Sequence, residues 1–132
     1  MKISVFAIIL SILGAFYSIC LLVIPVKFLA NYGVTLDSSG IVVARLLGAQ
    51  IGGLAIIFGS CRNIPQSNKA WQNLLWGSLF FSAVSAVISA NSVLNGTSNS
   101  MGWTTVAVQV LIALASCYFL LQRKTAKSAG LA

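Results

Sequence analysis

Asp37 is the only carboxylate among 132 residues, and Arg45 is the one basic side chain set inside a long apolar run. An acid and a guanidinium eight positions apart suggest a local ion pair, or an arginine that snorkels toward lipid headgroups. The sharper alternative is that Arg45 binds an anionic group, a lipid phosphate or a small ligand, from the outer half of a membrane. Uncharged polar groups recur in similarly apolar surroundings at Gln50, Ser82, Ser85 and Gln109. In hydrocarbon such groups face a bundle interior or one another, or they line a cavity. With no histidine and one carboxylate, the chain offers no histidine-held zinc or haem and no histidine-based triad. General acid–base chemistry at neutral pH has no clear candidate. Cys20, Cys61 and Cys117 are far apart and form no CxxC motif, whereas a quinone-linked thiol oxidoreductase needs paired cysteines. They read as small apolar fillers; Cys61 beside Arg62 leaves palmitoylation open in a eukaryote. No catalytic residue, metal or cofactor is assigned.

The elements that must position these residues are membrane spans. Hydrophobic residues make up 58% of the chain and charged residues 7%, too few charges to cover a water-soluble globule. Mean hydropathy is +0.97. The net charge of +7 comes from eight Lys and Arg against one acid. These bases sit at the edges of apolar runs, where they set membrane topology, and not on a polar face with interleaved aromatics. Nucleic acid is therefore not an expected partner.

Read in order, Ile3 to Val26 is uncharged and long enough for a hydrocarbon core that needs ~20 residues. It exceeds the usual apolar region of a cleaved signal peptide, and FYSIC lacks the small residue a lipoprotein site requires, so a retained first span is expected. Pro25 ends or tightens that helix. In VKFLANYGVTL, Phe28, Leu29 and Tyr32 share one side of a short interfacial turn, with Gly33 as terminator. Asp37-Ser38-Ser39 supplies N-cap chemistry for a second span. Arg45 then lies about five residues, or ~7–8 Å, below its outer end. Pro65 breaks CRNIPQSNKAW, and SANSVLNGTSNSMG interrupts the charge-free stretch from Ala70 to Gln122. The expected spans are 3–25, 40–60, 71–90 and 102–122, within one integral membrane domain over 1–132. Trp71, Trp76 and Trp103 fall near span ends, where indoles favour the interface. The basic tail from Arg123 is expected to be poorly ordered.

The expected architecture is all-α, a four-transmembrane-helix bundle with both termini cytoplasmic. Lys2, Arg62, Lys69, Arg123, Lys124 and Lys127 then share the inner side, while Lys27 is balanced by Asp37 outside. Asn95-Gly96-Thr97 forms a glycosylation triplet on the outer side, of consequence only in a eukaryotic secretory membrane. Close packing of helices in lipid relies on small residues and polar contacts. Ala44, Gly48 and Gly52, with Ala55 and Gly59 a little further round, give the second span such a face. Ser78, Ser82, Ser85 and Ser89 give one to the third span, and Thr105, Gln109, Ala113 and Ser116 one to the fourth. Counted from the outer ends, Gln50 and Gln109 lie within about three residues in depth, ~4–5 Å. They are expected to face inward with Ser82 or Ser85, as polar glue or as the lining of a small cavity.

At FLANYGVTLDSSGIVVARLLGAQ and MGWTTVAVQVLIALASCYFLL the chain resembles a group of small bacterial four-helix membrane proteins with a DoxX-like type of architecture. The shared pattern is a loop like YG-V-T-L followed by a helix opening near V-A-R-L-L-G-A, here Tyr32 to Leu36 and Val43 to Ala49. The resemblance singles out Arg45 and Gly48 and covers most of the length. It implies a bacterial plasma membrane and a compact bundle, and it brings no activity with it.

The leading functional expectation is a non-enzymatic multi-pass membrane protein, an accessory or structural subunit or a lipid-associated bundle. Its partners would be the bilayer, an anionic lipid, a larger membrane complex or further copies of itself. The alternative is a small transporter or channel for an anionic or neutral solute, using Arg45 with Gln50 and Gln109. Proton-coupled exporters of this size generally carry a carboxylate within a span, and Asp37 at the helix edge is a poor substitute.

Overall fold

The computed structural model describes residues 2–65 and 68–128, with side chains described through Gln122. Five helices and no strand occur among these residues: α1 (Ile3–Val23), α2 (Pro25–Ala30), α3 (Ser38–Cys61), α4 (Lys69–Leu94) and α5 (Gly102–Ser128). Four of them, α1, α3, α4 and the Gly102–Gln122 part of α5, are long and apolar enough to cross a membrane. The chain divides into two compact units, Met1–Asn63 with Thr97–Asn99, and Ile64–Gly96 with Ser100–Ala132.

Local chemistry sets the helix ends. Pro25 cannot donate to the α1 ladder, so α1 stops at Val23 and Ile24 leaves the helix at φ −130°, ψ 47°. Pro25 then takes the first position of α2, where its missing N–H costs nothing. Gly33 closes that turn at φ +75°, a backbone conformation open to glycine and strained for other residues. Its N–H reaches Ala30 O at 2.9 Å, and Val34 N reaches Leu29 O at 3.2 Å. Asp37 caps α3 by accepting from Gly40 N at 2.6 Å. Asn68 caps α4 in the same way, accepting from Ala70 N at 2.9 Å.

Two boundaries differ from the sequence expectation by four residues or more, the others by one or two. α4 runs to Leu94, four residues past the expected end, because Asn91 and Ser92 continue the helix despite their polarity. Asn95 Nδ2 donates to Asn91 Oδ1 at 3.0 Å, and Gly96 at φ +72° supplies the stop. α5 continues to Ser128, where an unordered tail was expected from Arg123. The rest of the expected tail, 129–132, lies outside the described residues.

In the first unit α1 and α3 pack antiparallel through small residues. A Cβ built on Gly59 would meet Ser11 Oγ at 2.8 Å, and one on Gly52 would meet Ser18 Oγ at 2.6 Å. One on Gly48 would meet Leu21 Cβ at 2.9 Å, and one on Gly14 would meet Ala55 Cβ at 3.0 Å. As the α3 number falls the α1 number rises, which gives the antiparallel sense. Close backbone approach of this kind, with its dispersion contacts, is what holds helices together in lipid, whose tails are as apolar as leucine.

In the second unit α4 and α5 are antiparallel across a serine seam. Ser116 Oγ donates to Ser78 Oγ at 3.1 Å, and both Ser82 and Ser116 are buried. Leu75, Trp71 and Phe119 are fully buried on the same seam toward one end.

Candidate functional site

The polar residues marked by sequence occupy three different settings. Asp37 and Arg45 stand on α3, the first as its N-cap and the second seven residues, ~10 Å, beyond the first helical residue. The Asp37 carboxylate is committed to Gly40 N. Arg45 is exposed, beside and not within the small-residue face that buries Ala44 and Gly48 against α1. Its guanidinium is therefore free to rise toward the nearer end of the span, as the backward tilt of helical side chains favours.

Gln50 is exposed as well. At 3.6 residues per turn it falls on the side of α3 opposite Ala44, Gly48 and Ala55. Its neighbours there include Leu46 and Ile57, both exposed, and Gly53, around which a Cβ would meet nothing within 4 Å. Gly48 and Gly52 contribute to the α1 contact, and Ala44 is buried on the same face.

Ser82, Ser85 and Gln109 belong to the second unit. The Ser116–Ser78 bond fixes the α4–α5 register. Seven residues from Ser78 to Ser85 and seven from Ser116 to Gln109 are each ~10 Å of helix, so Ser85 and Gln109 lie level. Ser82 lies between these levels, near that of Ala113. The seam thus carries Ser78, Ser82, Ser85, Gln109 and Ser116 along one side of the pair. Two of its atoms, Ser82 Oγ and Gln109 Oε1, are buried without a hydrogen-bond partner among the described residues.

Sequence reasoning missed two features. The α1 partner of the glycine face is Ser11, Gly14 and Ser18, with Ala7 fully buried one turn earlier. The four-three-four spacing of Ala7, Ser11, Gly14 and Ser18 was the available signal. The second feature is an aromatic cluster in the first unit. Phe28 packs edge-on against Phe16, Tyr17 and Tyr32 at centroid distances of 6.4, 5.4 and 5.8 Å. The Tyr17 and Tyr32 hydroxyls lie 3.3 Å apart. Asn99 fastens over this corner, donating its backbone N–H to Tyr32 O at 2.8 Å and Nδ2 to Asn31 O at 3.0 Å. A Cβ on Gly33 would press on Asn99 at 3.2 Å, so a larger residue there would push Asn99 aside by a few tenths of an ångström as well as strain the dihedral angle.

Trp71 also departs from expectation. It is fully buried and donates its indole N–H to Ile64 O at 3.0 Å, while Trp76 and Trp103 are exposed near helix ends. Cys20 and Cys61 are partly buried, Cys117 is exposed, and all three are free thiols. Comparison of the chain with family models, curated proteins and solved structures finds no match.

Proposed function

We propose that this chain is a non-enzymatic multi-pass protein of a bacterial plasma membrane, with both termini cytoplasmic, acting as an accessory or structural subunit or a lipid-associated bundle. The observation that carries this reading is the inside-out distribution of side chains. Ile12, Val23, Ile56, Phe80, Ile88 and Leu111 are each more than 60% exposed, while Ser18, Ser82 and Ser116 are buried between helices. Such surfaces are stable against lipid and not against water. The orientation rests on charge: Lys2, Arg62 and Lys69 stand at helix ends that positive-inside bias assigns to the cytoplasm. The DoxX-like resemblance belongs to the same proposal.

A second reading has its own observation. Arg45 and Gln50 are both exposed on α3, Arg45 beside the α1 seam and Gln50 on the opposite side, open to a solute or an anionic lipid. Native mass spectrometry of tagged protein from a mild detergent separates the two. A stoichiometric second protein makes the chain a subunit. A monomer or dimer retaining an anionic lipid or small molecule that is lost in Arg45→Leu moves the assignment to a binding or transport site.

A further inference from the structure

The α4–α5 seam poses a hydrogen-bonding problem that the described protein atoms do not solve. Ser82 is 1% exposed, and no carbonyl of the preceding helical turn accepts its hydroxyl proton. Gln109 Oε1, further along the same seam, is likewise buried without a donor among the described residues. In a hydrocarbon setting lipid tails offer nothing to either atom. Leaving a buried acceptor unmet is unfavourable enough that such groups are nearly always satisfied by protein or by ordered water.

The local chemistry identifies the missing partner. Ser116 donates to Ser78, which leaves the Ser78 proton and the Ser116 lone pairs unused. Ser82 follows Ser78 by one helical turn on the same face, with Ala113 near its level on α5. Three hydroxyls along one small-residue seam offer the donor and the acceptors that a buried water needs, two to four partners in all. We propose that the α4–α5 seam binds ordered water, one molecule bridging Ser82 to the Ser78–Ser116 pair and another donating to Gln109 Oε1. The pair is then held through water as well as by direct contact, and the site takes water because no charged or apolar ligand matches three hydroxyls.

X-ray radiolytic labelling in H2(18)O tests this on the full chain in lipid nanodiscs, because bound water generates hydroxyl radicals that oxidise the nearest side chains. Phe119 is the reporter: it is fully buried on the seam, one turn from Ser116. Phe6 is the matched control, 3% exposed and likewise three residues from the end of its apolar run, but in the other unit. The expected result is faster 18O incorporation at Phe119 than at Phe6, falling to the Phe6 rate in Ser82→Ala. Equal rates at Phe119 and Phe6 in the native protein overturn the proposal, and so does a Phe119 rate unchanged by Ser82→Ala. If that variant fails to fold, the comparison within the native chain decides alone.

Discussion

Replacing Gly48 and Gly53 by alanine, one at a time, should move stability in opposite directions although the two lie five residues apart on one helix. A Cβ at position 48 sits 2.9 Å from Leu21 Cβ and 3.2 Å from Ser18 O. Carbon atoms in contact prefer about 3.5–4.0 Å, so relief needs a shift of roughly 0.6–1 Å. Neither obstacle is the far end of a flexible side chain, so the α1 and α3 backbones must part. Overpacking of this kind costs about 1–3 kcal/mol. Gly52 and Gly59 are softer positions, since the atoms they meet first are serine hydroxyls that can rotate. At Gly53 a Cβ meets nothing within 4 Å, and exchange for alanine should gain up to about 1 kcal/mol in helix propensity. The two variants should therefore differ by about 1–4 kcal/mol. Reversible unfolding in mixed micelles, titrated with denaturing detergent and followed by circular dichroism, reads that difference. A Gly48→Ala variant as stable as Gly53→Ala would refute the close α1–α3 approach and the antiparallel register drawn from it.

Removing the α3 cap with Asp37→Ala should lower stability by about 1 kcal/mol in the same assay, while Asp37→Asn, which keeps the accepting oxygen, should lose little. Trp71→Phe removes the donor to the part-buried Ile64 O, for a loss of about 0.5–1.5 kcal/mol by thermal unfolding. Gly33→Ala meets both a φ of +75° and Asn99, and should cost more than Asn99→Ala, which removes a side-chain hydrogen bond without straining the backbone. In a cysteine-free background, Asn95→Cys should react with an impermeant maleimide on intact cells and Asn63→Cys only after permeabilisation; the reverse pattern would overturn the proposed topology.

The spans and several of their ends were legible because they rest on local rules. Pro25 cannot continue a ladder, Gly33 tolerates positive φ, and Asp37 is a strong cap wherever the chain places it. Where polarity stood in for geometry the reading failed. Asn91 and Ser92 looked like loop but extend α4, since a polar residue at a helix end can meet water without leaving the helix. Trp71 looked like an interface anchor and is instead buried, a distinction that depends on the carbonyl at Ile64 lying within reach.

The candidate polar residues divide the same way. Spacing alone showed that Ala44, Gly48 and Gly52 share a face, and that Ser78 and Ser82 share another, because helical periodicity is a property of the single strand of sequence. Which helix meets which face is not: the partner of Gly52 is Ser18, thirty-four positions earlier, and the partner of Ser78 is Ser116. Composition dictates four apolar helices, since length and hydropathy act residue by residue. Pairing, register and the unmet hydroxyl of Ser82 belong to tertiary structure, because contact between helices depends on shapes that remote segments present to each other.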